Sequence, residues 1–259
     1  MTQPMVLYSV SERIATISIN RPDKRNALSP ELVTLLTDTF LMASEDDDVK
    51  IIILKALGGT FSAGADLAYL QQLQQNSYEE NLADSENLKR LFTTIYYLPK
   101  VVIAQVEGHA IAGGCGLATV CDLVFAVPEA NFGYTEVKLG FVPAIVSCFL
   151  LLKTGETVAK RILLTGELFS AAEALNYGLI TFVTSKEEID LKVNECAKRI
   201  CLEASSNSLA VTKQLIGQTN NALLEKSLEF AVQINARTRD SVDFKKGLTL
   251  FLNKEKINW

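Results

Sequence analysis

Ala15, Ile17 and Ile19 alternate with polar residues and run into Asn20-Arg21-Pro22-Asp23, which predicts a strand entering a loop. Ser29-Pro30-Glu31 then supplies an N-cap, a first-turn proline and an acid for a helix whose Leu32, Leu35, Leu36 and Phe40 share a face. The unbroken apolar runs Val49 to Leu54 and Val101 to Val106 predict strands covered on both faces, as in a parallel sheet. Between them, Leu88, Leu91, Phe92 and Ile95 form a helical stripe that stops at Pro99. Another short strand is expected over Leu123 to Val127, and the alternation of strand and helix implies right-handed crossovers in an α/β fold.

Beyond about Ala144 the pattern becomes mostly helical. Ser170 and Glu173 form a capping box for a helix stopped at Gly178, and helical periodicity fills most of Lys186 to Leu252. The expected organisation is an α/β core over residues 1–195 and a helical region over 196–259. The polar stretch Gln71 to Asp84 lacks periodicity and reads as a mobile loop over a site.

Composition narrows the function classes. A net charge of −5, with no lysine or arginine run longer than two, argues against a nucleic-acid partner. Five cysteines, odd in number and set in apolar stretches, read as reduced core residues of a cytoplasmic protein. The start Met1-Thr2-Gln3-Pro4 lacks the features of an export signal, and no uncharged apolar stretch reaches membrane-spanning length, so no membrane role is expected. His109 is the single histidine, which excludes metal sites or catalytic arrays that need two; no metal is expected. Dinucleotide and phosphate-loop fingerprints are absent, and no separate cofactor is expected.

Two small-residue turns remain, each after a predicted strand: Phe61-Ser62-Ala63-Gly64-Ala65-Asp66-Leu67 and Ala112-Gly113-Gly114-Cys115-Gly116-Leu117. Glycine lets backbone N–H groups approach a ligand oxygen, and the opening of a helix adds its positive end. One N–H from each turn would make an oxyanion hole, each donor contributing roughly 3 kcal/mol to an oxyanionic transition state. Glu136 follows Gly116 by twenty positions and brings a carboxylate. His109, in the glycine-rich run that opens at Gly108 ahead of the second turn, is at least as well explained by structure as by catalysis.

Across almost its whole length the chain resembles the crotonase family of enoyl-CoA hydratases and isomerases. The landmarks are Asn20-Arg21-Pro22 with Asn26-Ala27-Leu28, Phe61 to Leu67, Gly108 to Asp122, Phe132-Gly133-Tyr134-Thr135-Glu136, Leu139 to Pro143, Leu164-Thr165-Gly166 and Ala174 to Leu179. The resemblance implies a spiral core of repeated ββα units, a C-terminal helical trimerisation region, and a homotrimer or a hexamer of two trimers. It implies that the N–H groups of Ala65 and Gly113 bind the thioester oxygen of an acyl-CoA. Coenzyme A, part of the substrate, would lie along Ala65, Asp66, Leu67 and Ala68, near Arg25, Ala27 and Ala63, with Gly116 also in the site. Lys245 or Lys246 would meet its phosphates. Glu136 matches the family's second catalytic glutamate, whereas glycine stands at position 116 where two-glutamate hydratases carry their first.

Gly116 with Val142 to Ser147 also resembles a bacterial subgroup of methylglutaconyl-CoA hydratase-like proteins, which points to hydration of a branched 2-enoyl-CoA from leucine or isoprenoid breakdown. One carboxylate is enough for an enoyl-CoA isomerase, and a non-catalytic thioester-binding or scaffold protein is the third reading. Phe141, Phe149 and Tyr134 stand as acyl-pocket candidates, with core packing the simpler explanation for the first two.

Overall fold

The computed structural model of the chain describes residues 3–259, the side chain of Leu67 excepted; Met1 and Thr2, part of the N-terminal stretch read above, lie outside them. The chain opens with strands β1 (Val6–Ser11) and β2 (Ile14–Ile19) and helix α1 (Pro30–Glu45). Next come β3 (Ile51–Ala56), β4 (Thr60–Ser62), α2 (Leu67–Leu73) and α3 (Tyr78–Tyr97), then β5 (Val101–Val106), β6 (His109–Ile111) and α4 (Gly113–Thr119). A fourth unit holds β7 (Leu123–Ala126), β8 (Asn131–Gly133), a single 3-10 turn (Glu136–Leu139) and α5 (Ala144–Thr165). Short β9 (Phe169–Ser170), α6 (Ala171–Asn176) and β10 (Phe182–Val183) lead into α7 (Ile189–Glu203), α8 (Ser206–Thr219), α9 (Asn221–Thr238) and α10 (Val242–Leu252).

The ββα unit recurs from β1 to α5, the repeat that the resemblance to the crotonase family implies for a spiral α/β core. The larger sheet runs β1-β2-β3-β5-β7-β10, parallel except where β1 pairs antiparallel with β2 at the edge. The smaller sheet runs β4-β6-β8-β9. In the second, third and fourth units the first strand joins the larger sheet and the second joins the smaller. Because β4, β6 and β8 are neighbours and parallel, the three segments that follow them leave the same edge side by side. Those segments carry Ala65, Gly113 and Glu136.

The buried strands match the apolar runs in the sequence. Ile51 to Leu54 are all buried, as a parallel sheet covered on both faces requires. Helix α1 starts where its cap predicts, with the Ser29 hydroxyl accepting from the Leu32 N–H at 3.3 Å and Pro30 in the first turn. Leu32, Leu36 and Phe40 face the core, each worth about 1.5–3 kcal/mol of burial. Leu35 does not share that face and stays 38% exposed: the buried stripe is Leu32, Val33, Leu36, Thr37 and Phe40, and position 35 falls outside it.

The stretch Gln71 to Asp84 is not a loop. Its first residues finish α2, and Ser77 with Glu80 forms a capping box that starts α3. Apolar periodicity is missing because this end of α3 buries polar groups. Ser85 donates to the Asn235 side chain of α9 at 2.9 Å, and Asn81 is 2% exposed. The 195/196 division falls inside α7. Helix α5 bends at Gly155, whose φ of 76° interrupts it. No helix among the described residues is long and apolar enough to cross a membrane.

Candidate active site

Gly64 joins the two turns. Its φ of +87° is one an L side chain rarely adopts, and a Cβ here would stand 2.9 Å from Ala112 Cβ and 3.1 Å from the Ile111 carbonyl oxygen. Leu28 donates its N–H to the Gly64 carbonyl at 2.7 Å and accepts from the Asp66 N–H at 3.0 Å. Ala65 is thereby bridged to Leu28 with its own N–H and C=O turned to the opposite side.

Ala112 is held just as firmly. It donates to the Gly133 carbonyl at 2.7 Å and accepts from the Gly116 N–H at 3.0 Å, in a backbone conformation of φ 51° and ψ −125°. A non-glycine residue held there costs about 1–3 kcal/mol and persists only where surrounding contacts enforce it. Its effect is to start α4 at Gly113. Behind it, Gly114 lies against β4, where a Cβ would meet the Ser62 carbonyl oxygen at 2.4 Å. Among the described residues, neither the Ala65 nor the Gly113 amide has a backbone partner.

Glu136 opens the 3-10 turn after β8 and is 9% exposed. One carboxylate oxygen, Oε2, is buried without a hydrogen-bond partner among the described residues. Burial pushes its carboxyl up to about 7, against a smaller downward pull from a backbone N–H. The groups behind it are neutral: the Tyr134 hydroxyl bonds Thr119 Oγ1 at 2.7 Å, and burial pushes the Cys115 thiol up to about 12. A carboxyl poised near neutrality can give and take a proton at working pH.

Ala63, Ala65, Gly113 and Glu136 line one cavity of 710 Å³, within the range of small-molecule sites. Its apolar wall includes Leu70, Leu73, Phe141, Phe244 and Phe251. The remaining residues singled out in the sequence divide by position. Arg25 is exposed, and its carbonyl accepts from the Ala63 N–H at 3.0 Å. Ala27 is buried, its carbonyl taken by the Arg21 guanidinium at 2.6 Å. Asp66 caps α2 by accepting from the Ala68 and Tyr69 N–H groups, and pairs with Arg21 at 3.0 Å. Ala68 is exposed, and the side chain of Leu67 lies outside the described residues.

Gly116 does not line the cavity. It is buried, and a Cβ would fall 2.4 Å from Val146 Cγ1 and 3.2 Å from the Phe92 ring. His109 points to the exposed side, where Nδ1 accepts from the Asn131 N–H at 3.2 Å, a tie between β6 and β8. Lys245 pairs with Asp240, and Lys246 donates to the Asn258 carbonyl at 2.9 Å beside the Trp259 ring. Phe141 reaches the cavity, while Phe149 and Tyr134 are core residues. All five cysteines are free.

Sequence reasoning missed Tyr69, Asp84, Asn235 and Arg239, all of which line the cavity. Their side chains meet from α2, α3 and the end of α9, so no local spacing announces them. The capping box at Ser77 was the available signal that Asp84 sits on a helix.

Comparison with known proteins agrees with this geometry. Residues 9–259 match the family described as Enoyl-CoA hydratase/isomerase. The chain is 41% identical to a Thermus thermophilus protein provisionally named an enoyl-CoA hydratase, over 93% of this chain and 95% of that one. It is 33% identical to the crotonyl-CoA hydratase of Syntrophomonas wolfei, over 100% of this chain and 99% of the other. An enoyl-CoA hydratase structure from Mycobacterium avium superposes with a TM-score of 0.88 at 32% identity, covering both chains in full at 100%. The paired turns, the buried glutamate and these matches agree: the chain is an enzyme of the enoyl-CoA hydratase/isomerase family.

Proposed function

We propose that the enzyme adds water across the double bond of a 2-enoyl-CoA thioester with Glu136 as its single acid and base. The thioester oxygen accepts from the Ala65 and Gly113 amides, which stabilise the negative charge it gains as the water oxygen bonds to the β-carbon. The protonated oxygen of Glu136 delivers its proton to the α-carbon, while its other oxygen takes the proton released by water. Atoms balance, and the carboxyl ends the cycle protonated. The observation that carries the reading is Glu136 itself, buried, with one oxygen unpartnered, in the cavity that both turns line.

Gly116 favours a second reading. With Val146 packed against the only place a side chain at 116 would grow, the site has no companion glutamate from α4. A single carboxylate is enough to move a proton between α- and γ-carbons, which is isomerisation. Incubation with crotonyl-CoA, 3-methylglutaconyl-CoA and a 3-enoyl-CoA in deuterated water separates the readings. Loss of the conjugated thioester absorbance marks hydration, its appearance from the 3-enoyl substrate marks isomerisation, and no change in any arm overturns both.

The finer parts of the proposal have their own supports. For a branched, methylglutaconyl-like acyl group, the exposed Lys138 on the cavity wall is the cation that would meet a second carboxylate, since Arg239 is already paired with Asp84. Coenzyme A is taken along Arg25, Ala27, Ala63 and the segment from Ala65 to Ala68, and no separate cofactor is needed. Assembly as a trimer or hexamer is supported by apolar side chains left outward on α8 and α9, among them Leu215, Ile216, Leu223 and Phe230, each more than 60% exposed. Sedimentation at micromolar concentration tests it, and a stable monomer overturns it.

A further inference from the structure

Helix α2 follows directly on the Ala65 amide, yet its described apolar side chains are not built into the main core. Leu70 and Leu73 pack instead in a small separate cluster with Phe244 and Leu248 of α10. Seven residues resting on a satellite cluster have little intrinsic stability. Polar contacts hold α2 at both of its early turns. At its start, Asp66 caps the helix and pairs with Arg21. One turn on, the Tyr69 hydroxyl donates to Asp84 Oδ1 at 2.5 Å. Asp84 Oδ2 lies 2.6 Å from Arg239 Nη2, and Arg239 Nη1 donates to the Asn81 carbonyl at 3.4 Å and to its side-chain oxygen at 3.3 Å.

Arg239 is an expensive residue to keep there. It is 4% exposed, lies over the Phe141 ring at 5.9 Å, and its buried Nε has no partner among the described residues. Buried ion pairs seldom add net stability over a hydrophobic replacement, and their better-attested use is to fix one arrangement among several. The arrangement fixed here is that of α2 against α3 and the end of α9, with Ala65 at its head.

We propose that Arg239 is a positioning residue: through Asp84 and Tyr69 it holds α2, and with it the Ala65 amide, in place over the acyl cavity. This rests on the oxyanion-hole reading above. The chain of contacts touches the reacting atoms only at its far end, so its loss lowers turnover rather than coenzyme A binding. Misplacement of a catalytic group by about 1 Å costs up to about a hundredfold, and a loosened helix is expected to cost about tenfold.

The test uses the full-length protein and acetoacetyl-CoA, whose enolate form absorbs in the ultraviolet and is enriched when both amides grip its thioester oxygen. Tyr69→Phe keeps the Arg239–Asp84 pair and removes only the hydroxyl, so it stays folded. It is expected to lose the bound-enolate signal and kcat by about tenfold, with KM and inhibition by free coenzyme A little changed. Arg239→Met is expected to lose at least as much, Arg239→Lys to recover part, and the Tyr69→Phe/Arg239→Met double variant to be no worse than Arg239→Met alone. Wild-type enolate signal and kcat in Tyr69→Phe, or a double variant whose loss is the product of the two single losses, overturns the proposal. No enolate signal in the wild type overturns the oxyanion-hole reading instead.

Discussion

Two carboxylates face the same cavity, and the fold treats them in opposite ways. Among the described residues Glu136 is paired with no cation and one of its oxygens has no partner, so burial outweighs the pull of a backbone N–H and raises its carboxyl to about 7. Asp84 is given the Arg239 guanidinium and the Tyr69 hydroxyl, and both its oxygens are engaged. Tyr69 in turn holds its proton more tightly, through burial first and then the bond to Asp84. An unpaired buried carboxyl is costly and therefore reactive; a paired one is a structural tie. On the proposed mechanism, the difference separates the group that exchanges protons from the group that keeps the machinery in place.

Substitution at Glu136 breaks the contrast most severely. Glu136→Gln is expected to lower kcat by roughly a hundredfold to ten-thousandfold while acyl-CoA thioesters still bind, measured by initial rates and equilibrium titration. Near-normal turnover would transfer the proton chemistry to another residue. Next comes Gly64→Ala, which demands a rare backbone angle and sets a methyl 2.9 Å from Ala112 Cβ, prising the two amides apart. Its expected kcat loss is about a hundredfold, with a lower Tm.

Acidity gives a subtler handle. If hydration uses the protonated carboxyl, kcat/KM falls about tenfold per pH unit above about 7, whereas an isomerase that starts from the carboxylate gains activity up to that pH. Stability follows the same group. The folded value of about 7 lies above the ordinary 4.5, so the native state binds the proton more tightly than the unfolded chain does. The wild type therefore has its full stability below about 4.5 and loses some as pH rises through 7. Denaturant titrations of wild type and Glu136→Gln are expected to diverge between about pH 4.5 and 7, reaching a constant difference on the order of 3 kcal/mol in favour of the variant above neutrality. Equal pH slopes would remove the argument for an unpaired buried acid.

The smallest expected effect concerns the absent second glutamate. Gly116→Ala pushes a methyl into Val146 and should cost roughly 1–3 kcal/mol of stability, which Val146→Ala partly restores. Full additivity of the two would show that the residues do not compete for one space.

Much of the fold was legible because its signals are local. Buried parallel strands show as unbroken apolar runs, the Ser29 and Ser170 caps mark helix starts within a residue, and the glycines of the two turns report close backbone approach. Glu136 and the turns around Ala65 and Gly113 stand out through an ordered set of landmarks, and the fold brings them to one cavity. The polar end of α3 was misread because its buried side is made of Asn81 and Ser85, and hydrophobic periodicity is blind to a face that buries hydrogen bonds.

By itself, then, the sequence determined the buried strands β2, β3, β5 and β7, the capped helices α1 and α6, the two backbone turns and the acid that follows them, since each depends on residues close together in the chain. Tertiary structure alone decided that Gly116 is sealed beneath Val146, that Glu136 lacks a counter-charge, and that Arg239, Asp84 and Tyr69 meet. Those facts depend on which surfaces are pressed together and which charges are left unpaired between different elements, Asp84 and Arg239 lying 155 positions apart, and no local pattern encodes them.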